Sequence, residues 1–539
     1  METEVQRIDH LGIVAGVIHD LKIVDMINER ISTDQREEIS TGEAVAGMII
    51  NGLGFSDRPM TLTPQFFQNK AMELLFRPGV QADHFNRFKL GRALDACYEY
   101  GCDNLFSEIS MAVCQQEKVD CRFNSEDTTT FTLTGDYEVD SDEHAIEITH
   151  GYSKDHRPDL KQAVLELMVS QDGGIPIISQ AWSGNASDNK IFKERAKKLT
   201  TSFKNSDAPR YLVADSKLYF KENLEGPLKE IPFITRVPGS ISLEKEMIRK
   251  SLNENHWNEL DKENKYHSLD VTHAGLEQRW VVVSSKAMKN RAEKRILKAV
   301  SKEKERVEKA IKKHSTIEFS CYQDAKDSLK EFVKGLKFHN LAEVDVSEKR
   351  KYFGKGRPKK EASYEIIYHV QAEFKKKEGA METQIKESSC YVLASTVSKK
   401  ELNDEELVKA YKGQNASVER GFRFLKDPLF FASSFFVKKP ERIMGLLLVM
   451  TLALLVYSIA QRKLRRYLLE MNQTLPNQIN KPTCTPTLRW IFQLMEGLDF
   501  VKTKIENALY IMVSGLTELK KKIINGFPDP VRKIYGLAN

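Results

Sequence analysis

Residues 162–182, QAVLELMVSQDGGIPIISQAW, contain two apolar stretches on either side of the turn sequence QDGG. Both stretches, 162–170 and 175–182, have the length of a strand and are rich in large apolar residues. A glycine pair between two such stretches is typical of a β-hairpin, because glycine adopts the positive φ that tight turns require. The sequence therefore predicts two antiparallel strands here.

The segments that flank this hairpin extend the pattern. Upstream, DTTTFTL at 127–133 alternates and is β-branched, which predicts a strand opened by its aspartate. Downstream come a charged helix at 188–203, the strand RYLVAD at 210–215 and the strand PFITRV at 232–237. Three meandering strands followed by helix, strand, helix and strand is the ribonuclease-H-like order, a mixed α/β sheet layered by helices.

Five segments are predicted for the whole chain, whose 539 residues are too many for one compact domain. They are a helical N-terminal domain at 1–118 with an N-cap at Ser40-Thr41, the first part of the α/β core at 119–240, a β-rich insertion with a long charged helix (286–315) at 241–398, further core helices at 399–465, and a helical C-terminal region at 466–539.

The composition sets broad limits on function. The net charge of +6, from 82 basic and 76 acidic residues, fits a nucleic-acid partner without requiring one. The 7 cysteines contain no CxxC pair, so a disulfide framework is not expected and a reducing compartment is favoured. Residues 443–460 are uncharged over a membrane-spanning length, but this run is solitary and lies between charged segments. A buried core helix is predicted, with a membrane span as the alternative.

Two aspartates are placed for chemistry. Asp127 shares a strand face with Thr129 and Phe131. Asp215 closes the apolar run YLVA, at the carboxyl end of a strand, where open α/β sheets bind their ligands. The alternatives are a turn cap for Asp127 and a helix cap for Asp215.

A third carboxylate lies in the helical segment SVERGFRFLKDP. Glu419, Phe422, Arg423 and Lys426 fall near one face, at i, i+3, i+4 and i+7. Phosphoryl transfer on DNA uses two metal ions held by oxygen ligands, and a carboxylate beside two cations can serve both metal and phosphate. The alternative is a solvated amphipathic helix with a salt bridge.

Taken together, these sites resemble the insertion-sequence transposases of the DDE class, in the broad insertion-sequence-four superfamily. The resemblance covers roughly 120–240 and 400–460 and includes the β-rich insertion. It is carried by EDTTTFTLTG, GYSKDHRPDLKQ (151–162), VADSKLYF and YKGQNASVERGFRFLKDPLFF.

The superfamily's Y-R-E-K pattern is only partly kept. Six residues separate Glu419 from Lys426, as in relatives, but Gln414 stands where an arginine is expected and the interval from Tyr411 to Glu419 is one residue too long. This departure indicates a subgroup with its own version of the helix.

The resemblance implies that Asp127, Asp215 and Glu419 hold two Mg²⁺ or Mn²⁺ ions. Water would cleave the transposon end, and the resulting 3′-hydroxyl would attack target DNA. Lys426, Arg423 and Tyr411 would contact DNA.

The segment GYSKDHRPDL adds Lys154 and Arg157 as candidates to line a DNA channel, with a solvated turn as the alternative. The basic sequence GKGRPKK at 354–360 is a candidate minor-groove contact, or simply a solvated loop.

The expected partners are transposon-end DNA, bound by the N-terminal domain, target DNA, and a second copy of the chain that pairs the two ends. No membrane partner is expected, and a prokaryotic cytoplasm is the expected location. Two other functions remain open: a metal-dependent nuclease without strand transfer, and an inactive DNA-binding relative.

Overall fold

The computed structural model describes residues 2–32, 34, 36–56, 59–135, 137, 142–204, 210–353, 362–427, 429–430, 437–505 and 508–537, without the side chains of 197, 200–204, 415 and 416. The candidate minor-groove sequence GKGRPKK at 354–360 lies outside these described residues.

The helices are α1 (Leu11–Asp20), α2 (Ile23–Arg30), α3 (Thr41–Leu53), α4 (Thr63–Phe67), α5 (Met72–Leu75), α6 (Arg87–Tyr100), α7 (Cys102–Gln116), α8 (Asp188–Lys204), α9 (Lys221–Leu224), α10 (Ser242–Glu254), α11 (Lys286–Ser315), α12 (Tyr322–Asp327), α13 (Lys330–Lys334), α14 (Ala380–Ser388), α15 (Asp404–Leu425), α16 (Pro440–Glu470), α17 (Leu488–Leu494), α18 (Glu518–Asn525) and α19 (Asp529–Ile534). The strands are β1 (Glu2–Arg7), β2 (Phe123–Leu133), β3 (Lys161–Ser170), β4 (Ile175–Ser183), β5 (Tyr211–Ala214), β6 (Phe233–Arg236), β7 (Asn258–Asp261), β8 (Asn264–His273), β9 (Leu276–Ser285), β10 (His339–Tyr352), β11 (Tyr364–Lys376), β12 (Cys390–Ser395), β13 (Leu475–Pro476), β14 (Pro482–Thr483), β15 (Asp499–Ile505) and β16 (Ala508–Ser514).

The chain forms two compact units, of which the first comprises Met1–Thr235, Ala274–Leu276 and Lys399–Asn539. Its mixed sheet has the order β4-β3-β2-β5-β6. The pairs β2/β3 and β3/β4 are antiparallel, whereas β2/β5 and β5/β6 are parallel. The predicted hairpin and the predicted succession of strands are confirmed.

One strand boundary was predicted wrongly. Asp127 does not open its strand, because β2 begins at Phe123. Residues Phe123 to Glu126 pair in parallel with β5, from Tyr211 to Ala214. That pairing, with a strand far downstream in the chain, places Asp127 inside β2.

The apolar run at 443–460 lies within α16, and its predicted burial is confirmed. By length and composition α16 is able to cross a membrane, with a mean hydropathy of 2.5 over its most apolar window, but 89% of that window is buried inside the protein. It packs against α3, α6, α7 and β4. Surrounding helices and a sheet strand thus replace lipid as the apolar environment of this helix.

The N-terminal helices share their hydrophobic core with α16. The predicted N-cap of α3 is confirmed as a reciprocal capping box. The Glu43 N–H donates to Ser40 Oγ at 3.0 Å, and the Ser40 N–H donates to Glu43 Oε2 at 2.7 Å. Both bonds satisfy amide groups that the first turn of a helix leaves unpaired.

The prediction of a helical region throughout 466–539 is wrong in part. β15 and β16 form an antiparallel hairpin, and β15 also pairs with β1, from Glu2↔Lys504 to Arg7↔Asp499. The segment DFVKTKI alternates and is β-branched, which suits a strand once partners are present. One partner comes from the opposite end of the chain, so local sequence could not indicate this small sheet.

The second compact unit covers Arg236–His273 and Glu277–Ser398, close to the insertion predicted at 241–398. It contains strands in the order β12-β9-β8-β7, the hairpin β10–β11 and the predicted long helix α11. Residues 348–352, shortly before the candidate minor-groove sequence, belong to β10 and pair with β11.

Candidate active site

Asp127 and Asp215 are brought together by the register of the central strands. The last parallel pair between β2 and β5 is Glu126↔Ala214, so both aspartates occupy the next position on neighbouring strands. Adjacent strands lie about 4.8 Å apart, and residues at equal positions of a parallel pair point to the same face. The Lys217 N–H donates to Asp215 Oδ1 at 2.9 Å, and the Thr128 N–H donates to Asp127 Oδ1 at 2.7 Å.

The electrostatic environment of Asp127 reflects this proximity. Burial raises the pKa of Asp127, and the neighbouring Asp215 raises it further, against the lowering effect of Lys154 and of the Thr128 N–H. The ammonium of Lys154 lies 3.8 Å from Asp127 Oδ1. Two half-buried carboxylates side by side, with the pKa of Asp127 raised, form an arrangement that a cation would stabilise.

Asp188, the first residue of α8, joins this site and was missed by the sequence analysis. Its carboxylate accepts hydrogen bonds from Thr128 Oγ1 and from the ammonium of Lys217, and it lies 3.4 Å from the ammonium of Lys154. Burial opposes ionisation of Asp188, but these donors outweigh it and lower its pKa. Aspartate is common at the start of a helix, so the sequence position of Asp188 did not indicate a role in the site.

Lys154 reaches the site at an open edge of β2. Because β5 ends at Ala214, no strand of the described part of the chain pairs with β2 on that side beyond Asp127. The ammonium of Lys154 fills this edge and donates to the Thr128 carbonyl oxygen at 2.6 Å. The residue therefore lies among the site's carboxylates rather than on a solvated turn.

The opposite face of β2 carries a second acidic pair. Glu126 and Glu166 are both buried, and Glu166 accepts two hydrogen bonds from Arg195, at 2.5 and 3.0 Å, and one from Trp182 Nε1 at 2.8 Å. Burial and the Glu166 charge raise the pKa of Glu126, with Arg195 opposing them. This cluster fixes α8, and therefore Asp188, to the sheet.

Glu419 lies on α15, on the face of the sheet to which Asp127 points. Leu167 is the cross-strand partner of Asp127, and a methyl group at Gly421 would lie 3.2 Å from the Leu167 side chain. Glu419 precedes Gly421 by two residues, a rise of about 3 Å and a rotation of about 200°, so its side chain leaves α15 on the side away from the contact between Gly421 and Leu167. Its side chain is exposed, and among the described residues it has no hydrogen bond or ion pair.

The remaining predicted DNA contacts are distributed differently. Lys426 forms an ion pair with Asp155 at 2.6 Å, next to Lys154, so it extends along the same flank of the site. Arg157 pairs with Asp159 on the surface at 2.7 Å. Arg423 is exposed on α15, and Tyr411 is half-buried near the middle of that helix.

The donor chemistry of the site suits Mg²⁺ or Mn²⁺, because Asp127, Asp215 and Glu419 offer only carboxylate oxygens. The structure brings the two aspartates together but does not add Glu419 to them. In the described part of the chain, no group of three or more His, Cys, Asp or Glu side chains is arranged to hold a metal ion.

Comparison with protein families assigns the two main parts of the chain. The model of the Transposase DDE domain matches residues 127–456, and a domain of unknown function (DUF4277) matches residues 3–111. The chain belongs to the DDE transposase family. The match begins at Asp127 and includes Asp215, Glu419 and Lys426.

Comparison with individual proteins adds little to this family assignment. No curated protein matches the chain. Among solved structures, the cryo-EM structure of a piggyBac transposase synaptic complex with hairpin DNA matches over 92% of this chain and 82% of that chain, with 9% identity and a TM-score of 0.37. A likeness at that level assigns neither fold nor function.

Proposed function

We propose that this DDE-family chain is a DNA transposase that cleaves transposon ends and joins their 3′-hydroxyls to target DNA. In the first step a water oxygen bonds to the scissile phosphorus and the bond to the 3′-oxygen breaks. In the second step that 3′-oxygen bonds to a target phosphorus and displaces a 3′-oxygen of the target strand.

Asp127, Asp215 and Glu419 would hold two Mg²⁺ or Mn²⁺ ions, which when bound neutralise charge on the reacting phosphate. The side chain of Glu419 is exposed, and it would have to move to join the two aspartates at the metal ions. Lys426, Arg423 and Tyr411 would position DNA. Until the ions bind, the positive charges of Lys154 and Lys217 would offset the repulsion between the carboxylates.

The observation that carries this proposal is the register that sets Asp127 beside Asp215 within a matched DDE domain. The order β4-β3-β2-β5-β6 supports a ribonuclease-H-like core. The superfamily is proposed to be the insertion-sequence-four group, in a subgroup with a modified Y-R-E-K helix. The matched N-terminal domain would bind transposon ends, and a homodimer would pair two ends in a prokaryotic cytoplasm.

The test combines purified protein, Mg²⁺ and DNA that carries the element's ends, and follows end cleavage and joined products on a gel. Asp127→Asn, Asp215→Asn and Glu419→Gln should each lower both steps by at least about 10³-fold, because each removes a charged oxygen ligand. Asp529→Asn is the matched control, since Asp529 forms only an exposed ion pair with Arg532.

The two rival functions predict other outcomes. Cleavage without joined products would favour the nuclease. DNA binding without cleavage by the wild type would favour an inactive relative. Glu419→Gln that still joined ends would remove Glu419 from the proposed triad.

A further inference from the structure

A cavity of about 340 Å³ lies beside α15 and is lined by four arginines. Arg420 and Arg423 come from α15, Arg465 from α16 and Arg489 from α17. The other charged residue that lines the cavity is Asp427. Its wall is completed by apolar groups that include Tyr457 and Leu454.

The charges of this arginine cavity do not balance. Asp427 forms an ion pair with Arg489, whose guanidinium also lies over the Phe55 ring, 4.3 Å from its centroid. Among the described residues, no carboxylate pairs with the other three arginines.

Arg465 is held in place by a backbone carbonyl group. Its Nε donates to the Pro486 carbonyl oxygen at 2.8 Å, which fixes the guanidinium in a half-buried position. Burial, followed by repulsion from Arg420, lowers the pKa of Arg465. Holding like charges together in a half-buried site costs free energy, and an anion bound between them would offset that cost.

We propose that the arginine cavity binds a backbone phosphate of the DNA on which this protein acts, an inference that rests on the proposed function. Guanidinium groups donate paired hydrogen bonds to phosphate oxygens.

The position of the cavity favours DNA over a free anion. Arg420 directly follows Glu419 on α15, so the proposed catalytic carboxylate and the cavity lie on adjoining flanks of one helix. A DNA strand that places one phosphate at Glu419 has further phosphates along its length, and the cavity offers a site for one of them.

The test measures binding of a fluorescein-labelled mixed-sequence DNA duplex by anisotropy over a series of salt concentrations, without divalent metal. Arg420→Gln and Arg465→Gln should each weaken binding about tenfold, and each should reduce the slope of log affinity against log salt by about 1. Arg465→Lys should retain most of the slope because it keeps the charge. Arg466→Gln is the matched control, since Arg466 is exposed on the same helix and pairs with Glu470.

Thermal unfolding of each variant checks the fold. Arg420 is exposed, so Arg420→Gln keeps the test valid if Arg465→Gln fails to fold. Folded variants that bind DNA with wild-type affinity and slope would overturn the proposal. The proposal would also be overturned if inorganic phosphate stabilised the wild type but not the variants, while the variants bound DNA as the wild type does.

The same protein preparation, assayed for end cleavage, separates this proposal from the proposed function. The wild type could form no cleavage products while the arginine variants still lose DNA affinity. That result would support phosphate binding in the cavity and refute the proposed enzyme activity.

Discussion

Replacing Asp188 with asparagine tests whether the two lysines of the candidate site are restrained by this third aspartate. The change keeps the shape of the side chain and removes its charge. Lys154 lies 3.4 Å from Asp188 and 3.8 Å from Asp127, so in wild type its charge is shared between the two carboxylates. In the variant, Lys154 and Lys217 would interact with the two remaining carboxylates, Asp127 and Asp215, more strongly.

The distances set the size of the effect. With an effective dielectric constant of about 20, charges 3.4 to 3.8 Å apart attract by about 4 to 5 kcal/mol before screening. Solvent reduces this strongly, because the Lys154 side chain is 23% exposed and the Lys217 side chain 40% exposed, and a net change of about 1 kcal/mol is expected. Since the lysines compete with a metal ion for the same oxygens, metal affinity should fall about fivefold.

The assay is Mn²⁺ binding to the full chain in the absence of DNA, followed by electron paramagnetic resonance. Asp188→Asn should bind Mn²⁺ about fivefold more weakly, whereas Asp529→Asn should match the wild type. Urea unfolding should show Asp188→Asn less stable by about 1–2 kcal/mol, because one charged hydrogen-bond acceptor is lost. Unchanged or tighter Mn²⁺ binding by a folded Asp188→Asn variant would refute the restraining role of Asp188.

Three further outcomes are expected. Arg195→Met should destabilise the chain by about 3–5 kcal/mol in urea, because it leaves the fully buried Glu166 charge unpaired; a loss below about 1 kcal/mol would contradict this. Glu126→Gln should stabilise the chain at neutral pH. The folded state raises the pKa of Glu126, so the wild type loses stability as the pH rises above the unfolded-state pKa of about 4.3. The stability gained by the Glu126→Gln variant should therefore vanish below that pH. A stability gain that persists at low pH would contradict this prediction. Leu452→Ala in the core helix should cost about 2–5 kcal/mol, whereas an unchanged unfolding curve would mean that α16 is not packed as described.

Much of the candidate site could be predicted because its chemistry follows local patterns. Asp215 was found from an apolar strand that ends in a carboxylate, and β5 ends at Ala214 as that pattern requires. Glu419 and Lys426 were predicted from helical spacing, but the structure does not bring Glu419 to the two aspartates. Asp188 and Lys217 were missed because their roles come from contacts between segments, and neither residue stands out in its own segment.

The arginine cavity illustrates the same limit. Arg420 and Arg423 share a helix and could be noted together, but Arg465 and Arg489 reach the cavity from two other helices. A lone arginine in a sequence is ordinarily solvated. Only when all surrounding helices are in place is it visible that no described carboxylate pairs with Arg420, Arg423 or Arg465.

By itself the sequence determined the succession of strands and helices in the core and the burial of the apolar run in α16, and it supplied the candidate carboxylates for a divalent metal. These follow from periodicity and from side-chain chemistry, which act within a few residues. The tertiary structure alone decided that Asp127 and Asp215 are neighbours, that Asp188 holds two lysines beside them, and that β1 pairs with β15. Those facts depend on strand register and chain closure, which join residues from 88 positions apart (Glu126 and Ala214) to 502 positions apart (Glu2 and Lys504).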